Sequence, residues 1–489
     1  MSLTDRLYSM CHVRATVIYE SILMEVFIFI SVLSLFLGVG YIASRYNTDT
    51  PSDYLLASKT VSPLLTALSA ASSKYSGYMF IGLVGYIYLN GLSAVWILLG
   101  FLFGDLLVFY SIHKKVSQET HRLNAISFIE LISRWHHGDY ALLRVVIGVI
   151  SLIFMLVYAA AQFNAGGKAL YVIFGWNYSL SAIICSVLIL AYCLKGGLRA
   201  SIWTDAVQSL VMILSLAILL FCIITHTDGV LPLIYQLQHI SPHYMDLGLQ
   251  TFGSLQATVL FAIGWIFNGI GVTGQPHIMV RFMALDSPKN INKTGWYYFI
   301  WSTLFLFLIL IISLSARLFI DPATLIDNEL ALPTLAQLLL PSIGVGLLLS
   351  SIFSSIISTT DSQILSCSAI ISNDFKLGKT HRKKYFITFL VTITALLISL
   401  FSSANVFTLV IFAWSALACT IGPLVIIQAW GQRPPQWLAF TMVIVGLSTA
   451  LVWRMMGLSA EIYEAAPGII ASIAVFFIGS ILTKLRFIK

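Results

Sequence analysis

The sequence predicts an all-α polytopic membrane protein of about 13 transmembrane helices. Three observations carry this. The chain is 58% hydrophobic and only 10% charged, with a mean hydropathy of +0.92, whereas soluble domains carry about 25% charged residues. Apolar segments of about 20 residues, each long enough to cross a bilayer, recur from end to end. The basic residues then alternate between the connections in a consistent sense. Of the 27 lysines and arginines, 21 fall in the connections after the odd-numbered spans and only four, Arg6, Arg14, Arg317 and Arg454, on the other side. Positive residues are retained on the cytoplasmic side, so the expected orientation is N-terminus outside and C-terminus inside. The net charge of +7 is a product of this bias and calls for no nucleic acid.

Taken in order, the expected spans are 22–43, 60–89, 91–112, 143–173, 178–194, 200–226, 251–279, 295–319, 332–371, 384–402, 405–430, 436–456 and 460–482. The first is too long for the apolar core of a signal peptide and reads as an anchor. The second contains Ser72-Ser-Lys-Tyr-Ser-Gly77, a small and polar run that cannot face lipid. Lys74 lies within it, and a cation at membrane depth costs about 3 kcal/mol or more unless it has a partner or a task. The connection 113–142, with its His136-His-Gly-Asp139 turn, and the loop 227–250, which lacks Lys and Arg, are too short to hold a catalytic domain. The seventh span is interrupted at Asn268-Gly-Ile-Gly-Val-Thr-Gly-Gln-Pro276. Paired broken spans in two halves of a chain point to a transporter's substrate site; glycines that only let helices pack closely are the alternative. Only seven residues follow the last span, so no fused kinase is expected. The six cysteines show no metal or redox spacing, so neither disulfides nor zinc are expected. HExxH and GxSxG are absent, and no enzyme is expected.

Several stretches resemble the sodium/solute symporter family, and within it the sodium/proline symporter branch. They are Thr66-ALSAASSKYSG77, Lys195-GGLRASIWTDAVQ208, Gly274-QPHIMVRFMALDS287, Ser350-SIFSSIISTTDSQILSCSAI370, Phe412-AWSALACTIGP423 and Tyr463-EAAPG468. The resemblance runs from about residue 24 to 485. It implies a 5+5 inverted-repeat core whose first and sixth helices are broken. The parts are then 1–59 (an extension and first additional helix), 60–226 (first repeat), 250–430 (second repeat) and 436–489 (two additional helices and a short tail). It implies an inner-membrane symporter that takes up a small organic solute, an amino acid such as proline or a related zwitterion or carboxylate, by alternating access coupled to sodium. No cofactor and no obligate protein partner are expected. A membrane sensor input module is the rival reading.

Carried over to this chain, the sodium site falls on Ser72, Tyr75, Ser355, Ser358 and Thr359. A hard cation suits the carbonyls left open at a helix break and the hydroxyls of one helix face. For Ser351, Ser354 and Ser366 the expectation is a bond back to their own helix. Asp205, Asp361 and Ser362, with Lys74, are candidates for a second ion or for proton coupling, although Asp205 also reads as a helix N-cap. Ser76, Gly77, Trp265, Asn268, Val272 and Pro276 are the substrate candidates. His277 and Arg281 are expected at a loop end or at lipid phosphate, and Lys168 and Arg317 at headgroups. The chain departs from its relatives at Lys74, where they have Asp, at Tyr75, at Asp361, and at Asn268 and Val272, where they have aromatic residues. A Lys74–Asp361 pair is expected, with snorkelling into a water-filled vestibule as the alternative. A lysine beside the sodium site also opens sodium-independent or proton-coupled transport.

Overall fold

The computed structural model describes residues 3–46, 48, 50–135, 138, 140–193, 197–377, 381–402 and 405–486. His136, His137, Asp139, Lys195 and Gly196, all named by the sequence reading, lie outside them. The described residues are nearly all helical, and their one β-type contact is an isolated bridge between Val61 and Leu285. The principal helices are α1 (Leu3–Ser44), α2 (Pro63–Lys74), α3 (Gly82–Asn90), α4 (Val95–Val108), α5 (Ala141–Phe174), α6 (Tyr178–Cys193), α7 (Gly197–His226) and α8 (Leu255–Ile270). They continue as α9 (Pro276–Met283), α10 (Ile291–Phe319), α11 (Ala331–Leu339), α12 (Ser342–Ala369), α13 (His381–Phe401), α14 (Val406–Ala429), α15 (Gln436–Met455) and α16 (Ala465–Arg486). Among the described residues, ten helical segments are long and apolar enough to cross a membrane, and Tyr178–Leu190 and Phe386–Phe401 are apolar but shorter.

Both expected interruptions are present. Helix α2 ends at Lys74. Tyr75 leaves the helical region (φ −88°, ψ 76°) and Ser76 is extended, its hydroxyl accepting the Tyr78 N–H to start the turn Gly77–Phe80. In the second case α8 tightens into a 3-10 turn over Gly271–Gly274, Gln275 is extended, and Pro276 opens α9. Proline suits the first helical position because its missing N–H would have no partner there. The expected span 332–371 is instead two helices, α11 and α12, separated at Leu340-Pro341. Leu340 is extended, as the ring of the following proline requires.

The core is set by close approaches of small residues. Gly100 and Gly104 of α4 lie against α8: a Cβ on Gly104 would stand 2.0 Å from the Ile266 carbonyl oxygen, and one on Gly269 would stand 2.4 Å from that of Gly100. Small residues four apart let membrane helices touch backbone to backbone. At one end of the bundle, Val61 and Ala284–Asp286 exchange backbone hydrogen bonds, joining the entry to α2 with the exit from α9. The two broken helices therefore run side by side, with their breaks facing a common interior. Among the described cysteines, Cys185, Cys222, Cys367 and Cys419 are free thiols.

Candidate functional site

The first break leaves carbonyls that their own helix cannot satisfy. The N–H of Gly77, which would have bonded to Ser73 in a continuous helix, donates to Gln162 Oε1 on α5 at 2.9 Å. The Ser73 carbonyl instead accepts the Thr359 hydroxyl at 3.1 Å, and the Ser72 carbonyl accepts the Ser358 hydroxyl at 3.0 Å. The Ser358 hydroxyl also lies 3.2 Å from the Ser355 carbonyl. Three of the five expected sodium-site residues, Ser72, Ser355 and Ser358, thus converge through oxygen atoms. Thr359 joins them through Ser73. Tyr75 contributes a fully buried ring against Trp301 and Phe305. The Ser354 hydroxyl bonds back to Ser350 as expected, whereas that of Ser351 is buried without a protein partner.

Lys74 is 2% exposed and takes a different partner from the one expected. Its ammonium donates to Asp105 of α4 at 2.7 Å, not to Asp361, and it does not snorkel to water. The Tyr298 hydroxyl of α10 donates to the same Asp105 oxygen at 2.6 Å, and His113 Nε2 lies 4.0 Å from the other. The rings of Tyr75, Phe101 and Tyr298 stand 5.1–5.7 Å from the ammonium. A buried cation held by one carboxylate and faced by three rings is compensated without a bound ion. Sequence reasoning missed Asp105 altogether. A single carboxylate inside an apolar span was the available signal.

Asp205 lies eight residues into α7, so it does not cap that helix. It accepts from Ser69 at 2.6 Å and from Arg281 at 3.2 Å. Arg281 was expected at a loop end or lipid phosphate and is instead fully buried, bonded also to Ser201 at 2.8 Å and Ser362 at 2.5 Å. A guanidinium therefore holds the carboxylate and hydroxyl that a second ion would use, tying α2, α7, α9 and α12 together. The Asp361 carboxylate lies close enough to Asp205 to repel it. His277 is likewise buried, edge-on to Tyr158. Lys168 does not reach headgroups: its ammonium is 2.5 Å from both Asp327 and Glu329. Glu329 in turn accepts the first N–H groups of α14, at Val406 and Phe407.

A small enclosed cavity lies between the breaks, lined by Lys74, Tyr78, Met79, Phe101, Tyr158, Asn268, Val410, Ile411 and Trp414. Of the substrate candidates, Asn268 faces it directly. Ser76 borders it through Tyr158, whose hydroxyl donates to Ser76 Oγ at 3.3 Å. Gly77 is packed so tightly that a Cβ would come 2.6 Å from Ile356. Trp265 is turned away and stacks on Tyr463 at 4.8 Å. Val272 is buried outside the lining, and Pro276 lines a separate crevice with Tyr54, Ile129 and Leu365.

Two broken helices enclosing a polar midpoint, in a bundle of apolar helices, define a membrane transporter rather than an enzyme. A profile of the family described as "Sodium:solute symporter family" matches residues 54–446. The chain belongs to that family. The high-affinity proline transporter PutP of Bacillus subtilis is 30% identical over 91% of this chain and 95% of its own length. The osmoregulated proline transporter OpuE of the same organism is 28% identical over 91% and 92%. Among solved structures, a Na+-coupled sialic acid symporter in a substrate-bound outward-open state superposes with a TM-score of 0.79 over 94% of this chain and 98% of its own, at 17% identity. Mhp1, a nucleobase-cation-symport-1 family transporter, superposes at 0.59 over 87% of this chain and 94% of its own, at 13% identity. These two likenesses establish the fold.

Proposed function

We propose that this symporter takes up a small organic solute by alternating access coupled to sodium, as a multi-pass protein of a bacterial inner membrane with its N-terminus outside. The observation that carries the coupling is the meeting of the Ser358 hydroxyl with the Ser72 and Ser355 carbonyls. Rotation of that hydroxyl proton away from the carbonyls would aim its lone pairs at a cation held between the three oxygens, an all-oxygen cradle for a hard cation. Thr359 supplies a second hydroxyl beside it. The proline transporters among its relatives make an amino acid or a related carboxylate the solute class to test first. No resident cofactor and no obligate protein partner are part of this reading.

A second reading has protons in place of sodium. It is favoured by the buried Lys74–Asp105 pair with His113 4.0 Å from the carboxylate. One experiment separates the two. Uptake of labelled L-proline and pyruvate into proteoliposomes is measured under a sodium gradient, then with potassium or choline, with and without a proton gradient at fixed sodium. Accumulation that requires inward sodium supports the first reading. Accumulation that follows the proton gradient and ignores sodium supports the second. For orientation, a cysteine at Asp228 should react with an impermeant thiol reagent in intact cells and one at Lys289 should not; the reverse pattern would refute it.

A further inference from the structure

The cavity between the breaks has an unusual polarity. Its only charged lining residue is Lys74. Asp105 neutralises that charge from behind but is not itself part of the lining. Asn268 also lines it, 1% exposed, and its amide oxygen and nitrogen both lack a protein partner. The Tyr78 hydroxyl is in the same condition. A buried amide without partners costs about 1–3 kcal/mol, which points to a ligand that completes it. The remaining walls include Met79, Phe101 and Trp414, which are apolar.

We propose that the solute is a small monocarboxylate, its carboxylate taken by the Lys74 ammonium and the Asn268 amide N–H. The inference rests on the transport reading above and names the solute class for it. An ammonium carries three protons; Asp105 engages one, and the Tyr75 hydroxyl stands within reach of a second. A carboxylate brought into the cavity completes the set with charge-assisted hydrogen bonds. A zwitterion would bring a second cation within a few ångströms of Lys74, with no carboxylate in the lining to receive it. The closed form has room for about one water, so the solute enters when the helices part. Its apolar body then lies against Phe101 and Trp414.

The test uses the full chain in proteoliposomes with labelled pyruvate and propionate, labelled L-proline, and unlabelled propionamide as an uncharged shape-match of propionate. The expected result is saturable pyruvate or propionate uptake that other monocarboxylates suppress and propionamide does not. Lys74→Met leaves Asp105 unpaired and can fail to fold, so the neutral double variant Lys74→Met with Asp105→Asn is the informative one. It should raise the half-saturation constant at least tenfold while remaining monodisperse in detergent. Asn268→Asp, which puts a carboxylate into the cavity, should lose monocarboxylate uptake. Wild-type half-saturation for monocarboxylates in the neutral double variant would overturn the assignment and leave transport standing. So would proline uptake that monocarboxylates do not compete with. If none of these solutes accumulates under either a sodium or a proton gradient, the monocarboxylate assignment is overturned and the symporter's solute lies in another class.

Discussion

Replacing Asp105 with Asn tests whether the core stands on a compensated charge. At 2.7 Å and an effective dielectric constant of about 20, the attraction between the Lys74 and Asp105 charges is about 6 kcal/mol. Desolvating the two ions offsets most of that, so the pair adds little net stability. Removing one partner is different, because it strands the other charge. The cost is then about 3–5 kcal/mol, a large share of a typical folding free energy of about 5–15 kcal/mol. Equilibrium unfolding in mixed detergent micelles would be followed for wild type, Asp105→Asn, Lys74→Met and the double variant. Each single change should cost about 3–5 kcal/mol, and the double variant should recover at least about 2 kcal/mol of their sum. Costs that add to within about 0.5 kcal/mol would show that the two residues do not hold each other, and the reasoning about Lys74 would be wrong.

Three other outcomes follow from the geometry. Ser358→Ala, and separately Thr359→Ala, should raise the sodium concentration for half-maximal uptake about tenfold while leaving folding intact, because each removes one oxygen beside the first break; unchanged sodium dependence would count against the site. Gly104→Ala should destabilise by about 1–3 kcal/mol or more, measured by the same unfolding titration, because the added methyl group would meet the Ile266 carbonyl. Glu329→Gln should cost about 1–2 kcal/mol, since it weakens both the pairing with Lys168 and the charge at the N-terminus of α14; retention of wild-type stability would show that Asp327 alone satisfies the lysine.

The breaks at Ser72–Gly77 and Asn268–Pro276 were legible because the residues that interrupt a helix act locally. A proline fixes its own φ, and a run of serines and glycines weakens its own turn. Ser355 and Ser358 came from the family resemblance, and helical spacing added only that hydroxyls three apart share a face. The partner of Lys74 was not legible. Asp361 was a reasonable candidate by sequence, and its helix α12 does meet α2 at Ser72 and Ser73, but the Lys74 side chain leaves the break toward α4, where Asp105 receives it. Arg281 misled for the same reason. Only two residues before the end of α9, it reads as a terminal cation, yet the bridge at Val61 folds that end against α2 and carries the guanidinium inward to Asp205. Trp265 was one turn from the cavity, and only its stacking on Tyr463 shows that it faces elsewhere.

The glycine contact between α4 and α8 has a mechanical consequence. Asp105 follows Gly104 directly and Asn268 precedes Gly269, so the two polar residues sit at the weld between those helices. Lys74 and Tyr298 then fasten α2 and α10 to the same point through Asp105. These four helices are cross-braced by contacts that a rigid rotation leaves untouched. The hydroxyls of Ser358, Thr359 and Ser362 reach this block from α12, outside it, by three hydrogen bonds to Ser72 and Ser73. A tilt of the block against α12 would shear all three. The Lys74–Asp105 charge thus travels inside the block, while the block meets α12 through hydroxyl contacts.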